Sequence, residues 1–332
     1  MKKSILFLSG ALFSAYILSA QVLVDHLLCE NQQNPVGLDI TSPRFSWQLQ
    51  SAKRNVTQTA YEISITNGKK PVWNSGKMMS DQSVQVSYQG PALQSGKKYN
   101  WKVRVWDKEG KVSAWSAPAS YQMALLQPSD WKAGWIEAGF PEDAVNRPAQ
   151  YFRKSFSLNK KIVAATAYIT AHGMYEAEIN GKRVGDRYLT PGWTSYNHRL
   201  EYQVYDVTAL LNKGDNAIGL VVGNGWYRGF LAWSGNKDVY GKKLGVLVQI
   251  SILYGDGSQE TLVSDNSWKS STGSIRYAEI YHGETIDARL EKKGWAAAGY
   301  DDSQWSPVTR ADYPLTNLLA TYNEPVRKHE TF

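Results

Sequence analysis

The sequence has few of the residues that build covalent or metal-based sites. Cys29 is the only cysteine, so no internal disulfide can form. The five histidines are widely separated, which gives little support for a zinc site. The chain also lacks a Gly-x-Ser-x-Gly motif and a phosphate-binding loop, so neither a hydrolase of the nucleophile-elbow type nor a nucleotide-binding protein is indicated.

Charge of one sign is not concentrated anywhere along the chain. Lysine and arginine number 37 against 30 acidic residues, a net charge of +7. The basic residues are scattered among acids, and no basic stripe of the kind that binds nucleic acid is present. We therefore expect no nucleic-acid partner.

The N-terminal residues have the pattern of an export signal. Lys2 and Lys3 precede an apolar segment from Ile5 to Leu18, and Ser19-Ala20 follows. This pattern predicts a signal peptide over residues 1–20 and a periplasmic or extracellular protein. The apolar segment is too short for a membrane span, and the residues before Cys29 make it a poor lipid acceptor.

Helical periodicity is nearly absent, and alternation with a period of two dominates. In the first part, Phe45, Trp47 and Leu49 alternate, and the run from Tyr99 to Asp107 alternates over nine residues. Short alternating strands separated by polar turns predict an antiparallel β-sandwich. We assign this domain to residues 21–124.

The second part repeats the pattern with longer strands. Alternation is unbroken from Leu244 to Tyr254, and Asn180-Gly181 between alternating residues predicts a tight hairpin. We predict a joint at 125–150, a second β-sandwich at 151–315, and the start of a following, truncated domain at 316–332. The predicted fold class is all-β, with two antiparallel β-sandwich domains after a signal peptide.

Aromatic rings and polar side chains are interleaved densely in one stretch. A sugar stacks its C–H face on an open ring while its hydroxyls bond to neighbouring amide, guanidinium or carboxylate groups. The competing interpretation is that the rings are core and the glycines mark turns. If the sugar-binding interpretation holds, Arg228 should lie near the surface, and at least one of Trp226, Tyr227 and Trp233 should form a partly exposed platform. The alternative is that Arg228 pairs with an acid such as Asp206 and the rings pack behind it. The candidate carbohydrate-binding residues are Trp193, Asn224, Trp226, Tyr227, Arg228 and Trp233.

Three motifs carry a family resemblance: the runs 191–196, 202–208 and 225–229, which read Pro-Gly-Trp-Thr-Ser-Tyr, Tyr-Gln-Val-Tyr-Asp-Val-Thr and Gly-Trp-Tyr-Arg-Gly. In this order they resemble the N-terminal region of bacterial α-L-rhamnosidases, family 78 of the glycoside hydrolases. The resemblance implies a fibronectin type III-like domain followed by a jelly-roll, galactose-binding-like domain. It also implies that terminal α-L-rhamnose is hydrolysed with inversion by an (α/α)6 barrel that follows this region.

The resemblance therefore assigns no catalytic residue to this chain. Hydrolysis with inversion needs two carboxylates roughly 6.5–9.5 Å apart. The nearest group in the sequence is Glu279, Glu284 and Asp287, with Asp301 and Asp302 behind it. Pairing of Glu284 and Asp287 with a neighbouring arginine, Arg289, to hold a loop is the favoured alternative.

Calcium is the one metal ion that we consider, because related sugar-binding modules use it. Oxygen ligands are available at Asn180 and Asp186, and also at Asn224 and Asp238. Turn formation explains the asparagines equally well, so we expect no obligatory cofactor.

Two classes of function remain open. The chain is either the accessory part of an exported rhamnosidase, with the catalytic barrel and a rhamnose-containing glycan as partners, or a free-standing glycan-binding module or adhesin.

Overall fold

The computed structural model describes residues 22–232, 235–321 and 324–330. The predicted signal peptide and the candidate Trp233 lie outside the described residues. Within those ranges, no helix is both long enough and apolar enough to cross a membrane.

The regular structure is almost entirely β-strand, as the period-two alternation predicted. The helical elements include one turn of α-helix, α1 (Gly225–Arg228), and the 3-10 turns Pro128–Asp130, Thr208–Leu210 and Ala288–Leu290. The strands are β1 Leu23–Cys29, β2 Val36–Leu38, β3 Arg44–Gln50, β4 Gln58–Asn67, β5 Lys70–Asn74, β6 Val86–Ser87, β7 Lys98–Asp107, β8 Ala119–Met123, β9 Trp135–Ala138, β10 Gln150–Leu158, β11 Ile162–His172, β12 Met174–Ile179, β13 Lys182–Arg183, β14 Leu200–Asp206, β15 Gly214–Gly223, β16 Gly245–Tyr254, β17 Gln259–Val263, β18 Lys269–Thr272, β19 Ile275–Glu279, β20 Gly283–Ile286, β21 Ser306–Ala311 and β22 Leu318–Ala320.

The chain forms two compact units. Among the described residues, the first comprises 22–33, 44–90 and 100–119. In it, β3 pairs with β1 and β6, and β4 pairs with β5 and β7, all antiparallel. Phe45 of β3 packs on Trp101 of β7 with ring centroids 4.6 Å apart, and both rings are buried. Two antiparallel sheets enclosing a common core make this unit a β-sandwich, as predicted.

Burial along β7 follows the predicted alternation. Tyr99, Trp101, Val103 and Val105 are all buried, and the residues between them are partly exposed. A pleated strand places alternate side chains on opposite faces, so a period of two in hydrophobicity becomes one buried face.

The second unit comprises the described residues within 34–43, 91–99 and 120–330. Its strands form one continuous sheet with the order β13-β12-β15-β10-β18-β21-β9-β16-β11-β14-β22, and β17 pairs with β16. The pairing of β21 with β9 joins the two halves of this sheet. The core lies between the two halves, because apolar side chains from β10, β12 and β15 meet those from β11 and β16. A second β-sandwich is therefore confirmed. The predicted boundaries of the domains stay predictions.

The Asn180-Gly181 hairpin is also confirmed. It joins β12 to β13, and both residues have positive φ, 53° and 72°. These values are those of the tight turn that asparagine followed by glycine adopts at least steric cost.

Strand β14 contributes side chains to two hydrophobic clusters of the second unit. Leu200, Tyr202 and Val204 belong to one hydrophobic cluster, whereas Tyr205 belongs to the core between the sheets. Since side chains alternate along a strand, residues 201 and 203 lie on the same face as Tyr205, towards the start of β14. The candidate site begins there.

Candidate functional site

Two of the predicted aromatic residues form a stacked pair. Trp193 and Trp226 have ring centroids 6.0 Å apart and planes only 7° from parallel. Trp193 is 51% exposed, Trp226 is half-buried, and the Trp193 Nε1 donates to the Tyr240 hydroxyl at 3.2 Å. The pair thus presents an exposed aromatic surface held in place by a neighbour, which suits stacking of an apolar ligand face.

The pair borders a cavity of about 230 Å³, which we call the tryptophan groove. Strand β14 contributes Glu201 and Gln203 to it, and Thr321 lies beside them. Gln203 Nε2 donates to Pro191 O at 3.1 Å and to Thr321 Oγ1 at 2.7 Å, while its Oε1 accepts from a buried tyrosine hydroxyl. The polar side of the groove is therefore rigidly arranged.

Glu201 adds a carboxylate to this polar side. It is only 5% exposed, and burial raises its pKa, against the opposing effects of Thr321 and Arg199. Glu201 and Gln203 were missed in the sequence analysis. Their signal was the spacing of two polar residues at i and i+2 in a strand that is apolar or aromatic elsewhere up to its last residue, Asp206. This spacing places both side chains on one face.

The turn that carries Trp226 depends on two glycines. Gly225 has a φ of +54°, and a Cβ there would lie 2.9 Å from the Cβ of Met174. At Gly229 a Cβ would lie 2.5 Å from a carboxylate oxygen of Glu279. Larger residues would strain the backbone or displace its neighbours, which explains the Gly-Trp-Tyr-Arg-Gly spacing locally.

Arg228 is fully buried, and the expectation that it lies near the surface is wrong. Its Nη1 and Nη2 donate to both oxygens of Glu142 at 2.7 and 2.6 Å. Its Nε donates to Asn224 Oδ1 at 2.6 Å, and Nη1 also reaches Lys242 O at 3.1 Å. These partners satisfy the guanidinium in the interior, so burial carries no uncompensated charge.

Asn224 extends the same network. Its Nδ2 donates to Glu279 Oε1 at 2.7 Å, and the other oxygen of Glu279 accepts from Phe230 N at 3.1 Å. Asn224 is 1% exposed. Asn224 and Arg228 therefore position the turn. Of the residues in this turn, Trp226 lines the tryptophan groove, and Asn224 borders a neighbouring cavity.

Tyr227 is likewise an interior residue. It is 4% exposed and stacks on His172, with centroids 4.4 Å apart and planes 1° from parallel. His172 is covered on its other side by Trp135 at 4.3 Å. Burial lowers the pKa of His172 to about 3, so the imidazole is neutral in the folded protein at ordinary pH.

The acidic residues noted in the sequence are spread among several interactions. Asp287 pairs with Arg289 at 2.7 Å, as the alternative to a catalytic role predicted for it. Glu284, the other residue of that alternative, is exposed and lines a neighbouring cavity. Asp302 accepts from Arg153 and from Lys269, and Asp301 accepts from the backbone of Ser303 at 2.9 Å.

The calcium candidates also have protein partners. Asn180 Nδ2 donates to Leu210 O and Asn216 Oδ1, and its Oδ1 accepts from Ala217 N at 2.9 Å. Asp186 pairs with Arg327 at 2.8 Å. Asp238 accepts from both Nη atoms of Arg147 at 2.6 and 2.9 Å. No group of three or more His, Cys, Asp or Glu side chains suited to a metal ion occurs in the part of the chain that the structure describes.

Two family models match the chain. Residues 160–330, just over half of it, match the alpha-L-rhamnosidase N-terminal domain. Residues 24–127 match the Rha78A-like, N-terminal immunoglobulin domain. The immunoglobulin and fibronectin type III folds are both antiparallel sandwiches, so the second match agrees with the architecture described above.

Relatives and solved structures agree with these models. An alpha-L-rhamnosidase of Formosa agariphila is 35% identical over 95% of this chain and 37% of its own length. An alpha-L-rhamnosidase of Alteromonas sp. (strain LOR) is 37% identical over 89% of this chain and 34% of its own length. The native Aspergillus terreus α-L-rhamnosidase superposes with a TM-score of 0.87 at 38% identity, over 92% of this chain and 36% of that one. The Streptomyces avermitilis alpha-L-rhamnosidase, solved with L-rhamnose, has a TM-score of 0.87 at 26% identity, over 93% of this chain and 47% of that one.

The chain thus spans about a third of the length of the curated relatives it matches. Three findings agree on the family: the match of a family model to just over half of the chain, the presence of two successive β-sandwiches, and the sequence identity to these proteins. The chain belongs to the α-L-rhamnosidase N-terminal family of glycoside hydrolase family 78.

Proposed function

We propose that this chain is the accessory N-terminal portion of an exported α-L-rhamnosidase, and that its second domain contacts the glycan through the tryptophan groove. Hydrolysis of terminal α-L-rhamnose, with inversion, is assigned to a catalytic barrel that accompanies this region. The relatives support the proposal, since each carries the name alpha-L-rhamnosidase and aligns with most of this chain over about a third of its own length. Export rests on the predicted signal peptide alone.

The observation that carries the glycan contact is the exposed face of Trp193 beside a buried carboxylate. Trp193 stacks in parallel on Trp226, and Glu201 lies in the same groove. A ring and an acceptor in one cavity match the two faces of a sugar, its C–H groups and its hydroxyls. The same groove would also serve a free-standing glycan-binding module. The downstream reading frame distinguishes the accessory role from this alternative, because a helical-barrel sequence there favours the accessory role.

The purified chain should not hydrolyse an aryl α-L-rhamnoside above background. The reason is that Asp287 and Asp302 already pair with basic side chains, and Glu279 is engaged with Asn224. A chromogenic turnover assay measures this directly. Hydrolysis that disappears in Glu284→Gln or Asp287→Asn would contradict the proposal and place the chemistry in this chain.

Replacing Trp193 by alanine should abolish binding of L-rhamnose with little effect on stability. We expect the parent chain to bind on the order of 0.1–1 mM, as suits one stacked ring and a few hydrogen bonds. Because Trp193 is half-exposed, its removal should cost within about 1 kcal/mol of unfolding free energy. NMR titration gives the dissociation constant, and thermal unfolding gives the stability.

Trp115→Ala is the matched control, because Trp115 is a partly exposed tryptophan of the first unit. It should leave binding unchanged. Titrations in calcium and in a chelator should agree, since the amide of Asn180 is occupied by protein partners. Unchanged rhamnose binding in Trp193→Ala would refute the groove as the sugar site.

A further inference from the structure

We propose that the tryptophan groove is one half of a longer cleft that binds at least two neutral sugar units, with the second unit in an adjacent cavity. This inference rests on the proposed function. The second cavity, which we call the hairpin cavity, lies beside the β19–β20 hairpin and has a volume of about 350 Å³. That volume falls at the small end of ligand pockets and suits a single sugar ring.

The two cavities are neighbours. Tyr188 and Leu189 line both of them, and Trp226 borders the tryptophan groove while the adjacent Gly225 borders the hairpin cavity. Residues of one short segment therefore separate two cavities, each large enough for part of a glycan. A linear ligand that leaves one cavity at this segment enters the other.

The dividing segment is held in an unusual backbone conformation. Leu189 has a φ of +57° and is 43% exposed. The backbone N–H of Tyr188 donates to Val326 O at 2.9 Å, and the Arg183 guanidinium lies 4.1 Å from the centroid of the Tyr188 ring. A non-glycine residue with positive φ is uncommon and persists where its surroundings fix it, often at ligand sites. The exposed leucine offers an apolar surface that a glycosidic linkage can cross.

The lining of the hairpin cavity matches the chemistry of a sugar. Met174, Leu189 and Ile280 supply apolar surface, and Glu176 and Glu284 supply exposed carboxylates. Carboxylates accept hydrogen bonds from hydroxyls, and the apolar side chains pack on C–H faces. Glu176 pairs with a nearby arginine at 3.2 Å, which leaves Glu284 as the main exposed negative charge. A uronic acid unit would be repelled there, so the cavity selects a neutral sugar.

The test compares a monosaccharide with disaccharides. The probes are L-rhamnose, a neutral disaccharide that ends in α-L-rhamnose, and the same disaccharide with a uronic acid as its second unit. We expect the parent chain to bind the neutral disaccharide at least fivefold more tightly than L-rhamnose, and the uronic disaccharide no more tightly than L-rhamnose.

Two variants locate the gain. Ala278→Trp fills the hairpin cavity from β19, and Glu284→Gln removes a carboxylate from an exposed position without changing its size. Each should reduce or remove the fivefold gain and leave the dissociation constant for L-rhamnose within twofold. Should Ala278→Trp fail to fold, Glu284→Gln carries the test, and it should also bring the uronic disaccharide closer in affinity to the neutral one.

The outcomes separate the two proposals. Equal affinity of the parent chain for L-rhamnose and the neutral disaccharide would overturn the cleft and leave the proposed function standing. A gain that survives in Glu284→Gln and in a folded Ala278→Trp would also overturn it. Failure to bind any of the three probes would overturn both the groove and the cleft.

Discussion

Replacing Arg228 by alanine is expected to lower the free energy of unfolding by about 3–5 kcal/mol, the usual cost of leaving one partner of a buried ion pair alone. The side chain is 0% exposed and donates to both oxygens of Glu142. Without it, the carboxylate of Glu142 keeps, among the hydrogen bonds of the described residues, the one from Gln150 at 2.9 Å, and Asn224 loses its acceptor role. Urea denaturation followed by tryptophan fluorescence measures the change.

Arg289→Ala is the matched control, because Arg289 forms a comparable pair with Asp287 but is 88% exposed. Exposed pairs contribute little to stability, since water solvates both charges well, so this variant should be much less destabilised than Arg228→Ala. The double variant Arg228→Met with Glu142→Leu should recover most of the lost stability, because no unpaired charge remains inside. If Arg228→Ala were as mild as Arg289→Ala, the buried network would not be what holds the turn.

The same variant should also weaken sugar binding. Arg228 follows Trp226 by two residues within α1, and its bond to Asn224 spans that turn. Loss of the network frees the turn, and the stacked tryptophan pair would lose its fixed geometry. Trp193→Ala, by contrast, should affect binding alone.

His172 should make the second unit acid-sensitive. Burial lowers its pKa in the folded protein to about 3, below the value of about 6.5 in an unfolded chain. A lowered folded pKa means that the unfolded chain binds the extra proton between these limits. The stability contribution is therefore complete above pH 6.5 and is lost as pH falls towards 3, by up to about 1.4 kcal/mol per pH unit.

His172→Phe tests this directly, because a phenyl ring can keep the stacking between Trp135 and Tyr227 and cannot titrate. The neighbouring Tyr313 donates to Glu137, and its own pKa is raised by burial, so its phenol stays neutral throughout this range. Relative to the variant, the parent chain should be less stable by roughly 3 kcal/mol more at pH 4 than at pH 7. Parallel stability curves for the two proteins over this range would show that His172 does not couple folding to protonation.

The chemistry of the candidate site was only partly predictable from the chain. Trp193 and Trp226 were identified as rings of the site, since aromatic residues among glycines and polar groups are visible in any short window. Arg228 was misplaced because its partner, Glu142, is 86 residues away. From the sequence alone, a single charged residue is expected at the surface, because the distant carboxylate that pairs with it in the fold is not visible in the local sequence.

The sequence by itself determined the elements. Alternation with a period of two made β7 and β16 into strands with one buried face, and Asn180-Gly181 made its hairpin, because both follow from local backbone geometry. The tertiary structure alone decided which side chains share a site. The groove joins Glu201, Trp226 and Thr321 from three separate segments, and Arg228 is buried because Glu142 reaches it. These contacts between residues distant in sequence depend on the order of the strands and on packing across the sandwich, and no local periodicity of the sequence encodes either of them.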